Sequence, residues 1–222
     1  MTLAQLIARY RTDAADREAP YFVDDPELAA FFNEAETQAC IRGRLIHESS
    51  DPALCEIDIA AGDSVYQLHP CMYELDHVAF RADGQSRRSP VRQVSQEWLD
   101  GNVPDWRDAE GDPTFVIQGD MTLRLVPRPE RSGALLIEGY RLPKREMDDP
   151  DDSPGINNAH HPHLIHWVLY RVFSIPDAEF FDAQRAATAL ERFANYFGEQ
   201  PDSDMRRITR EDIEHAVRGF MP

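Results

Sequence analysis

Leu3, Leu6, Ile7 and Tyr10 recur at helical spacing, so the chain opens with a helix. A second begins at Asp25-Pro26, with Asp25 as its cap and Pro26 in the first turn. Along it Leu28, Phe31, Phe32, Ala35 and Ala39 make one apolar stripe, and Glu27, Asn33, Glu34 and Glu36 face away. The period then shortens. In Cys55-Glu56-Ile57-Asp58-Ile59 apolar and acidic residues alternate, as in a strand with one buried and one wet face. Further strands are expected at residues 65–68, 73–80, 115–118, 122–126 and 134–140, separated by turn signals such as Gly62-Asp63 and Gly119-Asp120. They read as an antiparallel meander, interrupted by a capped helical turn over residues 95–100 and a loop through Pro104 to Arg107.

Residues 143–158 carry Asp148, Asp149, Asp151, Asp152 and three prolines with little apolar content, which predicts a solvated linker. Helical periodicity returns at residues 164–173, apolar on nearly every side. Such a helix lies in the middle of a bundle or is covered by a neighbouring subunit. Ser174 and Asp177 are candidate caps for the next helix, whose stripe is Phe180, Ala183, Ala187, Leu190, Ala194 and Phe197. After Gly198 a polar linker leads to an amphipathic segment, residues 209–220, with Thr209 as cap, Ile208 and Ile213 as a hydrophobic staple, and Ile213, Ala216, Val217 and Phe220 on one face. A helix of about 12 residues is marginal alone in water, so this one orders by docking on its own body or on another chain.

The expected fold is therefore α+β: a helical bundle of N- and C-terminal helices, an inserted antiparallel β-rich region, and a C-terminal tail helix. Residues 1–53 and 159–198 make the helical body, 54–142 the β-rich region, 143–158 the acidic linker, and 199–222 the linker and docking helix.

Composition narrows the function. The 222 residues include 40 acidic against 23 basic, a net charge of −17, which opposes tight phosphate contact, because nucleic-acid affinity comes mainly from Lys and Arg displacing counterions. Cys40, Cys55 and Cys71 are odd in number and share no C-x-x-C spacing, so free thiols and a reducing compartment are expected. Nothing resembles a signal peptide, and the longest apolar run is about half the ~20 residues that span a bilayer, so no membrane partner is expected.

Candidate chemistry is sparse. Neither G-x-G-x-x-G nor G-K-[ST] is present to cradle phosphates, and no serine sits in G-x-S-x-G. His160, His161, His163 and His166 are the best candidates for a transition metal, and a metal-dependent enzyme using them is the alternative reading; the zinc-protease helix, however, needs His at i and i+4 around a Glu. Glu56 and Asp58 share one side of a strand and read as a solvated face more readily than as paired acids. The Asp148–Asp152 run lacks the Gly and distal Glu of a calcium loop. Trp98, Trp106 and Trp167 lack adjacent Lys and Arg and read as core or interface anchors. No catalytic, cofactor or metal residue is assigned, and the chain is read as non-enzymatic.

The stretches FVDDPELAAFFNEAETQACIR, LDGNVPDWRDAEGDPTFVIQGDMTLRLVPRP and HHPHLIHWVLYRVFSIPDAEFFDAQRAATALERFANYF resemble the head-to-tail adaptor, or connector, proteins of short-tailed bacteriophages, over about residues 20 to 198. The resemblance implies a structural protein of the virion, made in the host cytoplasm. It implies a homo-oligomeric ring, a dodecamer, that attaches beneath the portal, extends the DNA channel and offers a platform to tail or nozzle proteins. Genomic DNA would pass without specific binding: twelve copies at −17 sum to roughly −200, a repelling wall if it faces the lumen. Residues expected at the portal or neighbour-subunit interface are Ile213, Val217 and Phe220 on the tail segment, with Trp167 and Leu169 on the apolar helix.

Overall fold

The computed structural model describes residues 1–176 and 178–201. Two helices come first, α1 (Leu3–Ala14) and α2 (Asp25–Gly43). There follow β1 (His47–Glu48), α3 (Pro52–Cys55), β2 (Glu56–Ile59), β3 (Val65–Gln67), β4 (Met72–Ala82), β5 (Ser89–Pro90), β6 (Arg92–Gln93) and α4 (Gln96–Asn102). Then come β7 (Glu110–Gly111), β8 (Phe115–Gln118), β9 (Thr122–Val126), β10 (Arg128–Pro129) and β11 (Gly133–Arg141), and the last described helices are α5 (His161–Phe173) and α6 (Ala183–Phe197). The protein is thus mixed α+β, with mostly antiparallel sheets.

The described chain divides into two compact units, residues 1–46 with 141–201 and residues 47–140. In the first, Thr2 caps α1: its hydroxyl accepts from the Gln5 amide while the Gln5 side chain accepts from the Thr2 amide. Asp24, not Asp25, caps α2 by accepting from the Glu27 amide at 2.9 Å. Asp25 serves elsewhere. The buried Arg11 bonds Asp16 at 2.6 Å, Asp25 at 2.5 Å and the Val23 carbonyl at 3.0 Å, and so closes the α1–α2 connection.

All five stripe residues of α2 are buried, in a core shared with Leu6, Tyr10, Leu164, Val168, Val172, Phe173 and Phe193. Helix α5 is central: it packs against α1, α2 and α6 within this one chain. Helix α6 is capped by Asp182, whose carboxylate accepts from the Gln184 and Arg185 amides at 3.0 Å; Ser174 instead closes α5, its hydroxyl donating to the Tyr170 carbonyl at 2.6 Å. Asp177, the other expected cap, lies outside the described residues. The buried face of α6 is Ala186, Ala189, Phe193 and Phe197, with Ala183 and Ala187 exposed. Alanines on both sides of the helix make two apolar faces equally readable, and Phe193 selects the one that turns inward.

Residues 143–158 have no helix or strand, yet they are not a solvated tether. Met147 and Ile156 are buried in the helical core, and the Asn33 side chain holds both the amide and the carbonyl of Met147, at 2.8 and 2.9 Å. The amides of Leu3 and Ala4 donate to the carbonyls of Asp152 and Pro150.

The second unit has a two-stranded ladder of β7 with β10 and two larger packed sheets. One has the order β1-β11-β4-β5, with β2 also on β11; the other has β3-β9-β8-β6. A single core between them takes Ile59, Met72, Leu75, Phe80, Leu135 and Ile137 from the first and Val116, Leu123 and Leu125 from the second. Pairing of His47 with Tyr140 and Glu48 with Gly139 brings residues 47–53 into this unit, seven residues earlier than the sequence pattern places the boundary. The meander is not wholly antiparallel: β6 pairs with β8, and β7 with β10, in parallel. The first of these pairs is joined through α4, a crossover long enough for a parallel return. On the outer side of β8, Phe115 and Ile117 meet α4 and Trp106 in a smaller apolar cluster.

Candidate functional site

A concavity of about 640 Å³ lies in the helical unit over α5, between α1 and α6. Its floor includes His166 and Leu169, and its rim carries Arg9 and Asp13 from α1 and Arg185 and Arg192 from α6. Arg9 bonds Asp13 at 3.2 Å, and Arg185 stacks on Phe173 at 3.8 Å while donating to the Asp13 and Ala14 carbonyls at the end of α1. Arg192 meets no carboxylate among the described residues. Burial, with the positive charges of His163 and Arg192, pushes the His166 pKa below its ordinary value, which leaves the groove's cationic character to the arginines.

Of the expected interface residues, Leu169 is half-buried in this groove. Trp167 turns to the other side of α5 and is 7% exposed within the single chain, against Phe193 and Tyr170 with Arg42 over its ring. Ile213, Val217 and Phe220 lie outside the described residues.

His161 parts from the other histidines, whose rings stay near one another, His163 and His166 with centroids 6.0 Å apart. His161 is fully buried, its Nδ1 in contact with the backbone of Met1 and its Nε2 3.0 Å from the Ile156 carbonyl. His163 stacks on Tyr196 at 3.5 Å, and His160 Nδ1 lies 3.2 Å from the same tyrosine's hydroxyl. Among the described residues no three His, Cys, Asp or Glu side chains are grouped to hold a metal ion. Burial raises the thiol pKa of Cys40, to about 12, and that of Cys55. Glu56 accepts from Arg81 at 2.8 Å instead of pairing with Asp58.

Two features escaped the sequence reading. Trp98 and Trp106 do have cationic neighbours in space: Arg92 lies over Trp98, and Arg107 and Arg124 lie over Trp106. Asp100 accepts from both the Trp106 indole at 2.9 Å and Arg107 at 2.6 Å. Arg107 directly follows Trp106, so the expectation that these tryptophans lack an adjacent cation fails there; Arg92 and Arg124 come from other strands. The second feature is the acidic turn at residues 146–152. Asp152 accepts from the amides of Asp148 and Asp149, at 3.1 and 3.0 Å, and Asp149 from that of Asp151 at 2.9 Å. These bonds hold the Asp152 pKa below its ordinary value. Glu146, Asp148 and Asp151 remain exposed and meet no cation among the described residues.

One unit shapes a charged groove from its helices and the other is built on packed sheets, and comparison with known families gives the class of protein directly: an adaptor of bacteriophages. The family model described as SU10 adaptor protein matches residues 1–213, and the chain belongs to that family. The match extends on both sides beyond the 20–198 span of the sequence resemblance. No curated protein matches the chain. Membership implies a structural role, assembly with phage portal and tail components, and a place in the virion. Among the described residues no helix is long and apolar enough to cross a membrane.

Proposed function

We propose that the protein is a non-enzymatic head-to-tail adaptor whose copies form a ring beneath the portal, extend the DNA channel and receive the tail. The observation that carries this reading is the family match over nearly the whole chain. In the proposed ring of twelve, the helical unit forms the body and the β unit meets tail or nozzle proteins. Residues 209–220 dock on the portal through Ile213, Val217 and Phe220. A net charge of −17 per copy suits a channel that DNA crosses without being held. Mixing the purified chain with its portal and imaging the product tests this: a ring stacked on the portal is expected, and a portal left bare at saturating protein contradicts it.

A further inference from the structure

The helical unit carries two surfaces of opposite charge that leave each other unused. One is the turn at 146–151, with Glu146, Asp148, Asp149 and Asp151 in six residues. It is held firmly: Asn33 fixes Met147, Asp152 and Asp149 close the turn, and α1 donates two amides to it. Its one adjacent guanidinium, Arg145, is bonded to Asp152. Like charges held this close repel. The other surface is the groove, where among the described lining residues Arg9, Arg185 and Arg192 stand with a single carboxylate, Asp13.

We propose that neighbouring copies of this chain join by seating the acidic turn 146–151 of one copy in the arginine-rimmed groove between α1 and α6 of the next. This deepens, and rests on, the ring reading above. A second copy is the occupant because the charges match and because every copy brings both halves. Net charges of −17 repel at long range, so association needs local complementarity of this kind. The two halves are different patches of one unit, so the contact is heterologous, and heterologous contacts repeat head to tail into rings or open chains. Leu169 on the groove floor gives the charge contact an apolar base.

The test reverses each half in the full chain. Arg9→Glu with Arg192→Glu reverses the groove and spares Arg185, which ties α6 to the end of α1. Asp148→Arg with Asp151→Arg reverses the turn and spares Asp149 and Asp152, whose carboxylates close it. Assembly is followed by sedimentation velocity, alone and with portal. Each variant is expected to need about tenfold or more protein to assemble, since like charges now meet. An equal mixture of the two variants is expected to recover wild-type assembly, because groove and turn are again opposite at every junction. Recovery also shows that neither variant is misfolded. Wild-type assembly by both variants alone overturns the proposal and leaves the ring reading standing. Failure of the mixture to recover also overturns it, as does loss of duplex DNA binding by the groove variant with assembly unchanged, which assigns the groove to nucleic acid. A wild-type chain that stays single even with portal overturns the proposal and the ring reading together.

Discussion

Glu36 shows how one side chain couples two segments. It is 1% exposed on α2, and its carboxylate accepts from the amides of Gly155, at 2.6 Å, and Ile156. Burial outweighs those bonds and raises its pKa to about 7 from an ordinary 4.5. Between these values the folded protein binds more protons than the unfolded chain, so this residue makes stability fall as pH rises from about 4.5 to about 7. At about 1.4 kcal/mol per pKa unit, the loss reaches roughly 3 kcal/mol above that window. Glu36→Gln keeps an acceptor for both amides and removes the titration. Urea unfolding across pH is expected to give a variant matched to wild type near pH 4 and more stable near pH 8, whereas parallel curves contradict the assignment. The α2 periodicity put Glu36 on the solvent side with Asn33. Periodicity identifies the face that packs on other helices; it carries no sign of a distant, acidic loop folding over the opposite face.

At the scale of elements, β11 runs against β4 closely enough that a Cβ at Gly133 would lie 2.3 Å from the Arg81 carbonyl oxygen, and one at Gly139 2.2 Å from that of Glu74. Real Cβ atoms do not come so near, so Gly139→Ala must push the strands apart. We expect a loss of at least about 2 kcal/mol, read by denaturant unfolding of the whole chain; an unchanged midpoint contradicts the close approach. The adjoining α4 cluster supplies a second prediction. Trp106 is 3% exposed, and Trp106→Ala should cost about 3–5 kcal/mol, with Trp106→Phe costing less because it keeps an aromatic ring in the site and loses the indole bond to Asp100 with only part of the packing. Equal losses for the two variants would place the energy in the hydrogen bond instead of the packing.

Legibility varied with how local the cause was. Strands β8 and β9 fall where alternation and the Gly119 turn placed them, because their signals lie within a dozen residues. Ser95 caps α4 by accepting from the Trp98 amide, also as its local pattern indicated. The face of α6, the parallel pairing of β6 with β8 and the burial of residues 147–156 were not readable, since each depends on what arrives from far along the chain. The groove is hidden for the same reason: its arginines come from α1 and α6, with most of the chain between them.

For the whole molecule, the family match extends to residue 213, into the segment expected to dock. If the proposed docking holds, removing residues 209–222 should leave the unfolding midpoint of the remainder within experimental error while weakening portal binding at least about tenfold, the effect of losing the apolar anchors Ile213, Val217 and Phe220. Undiminished binding by the truncated chain would move the docking site elsewhere. The account as a whole stands on assembly, and the most direct measurement is electron microscopy of the full chain mixed with its portal. It predicts a closed ring of identical subunits coaxial with the portal channel; a chain that remains monomeric beside an undecorated portal contradicts it.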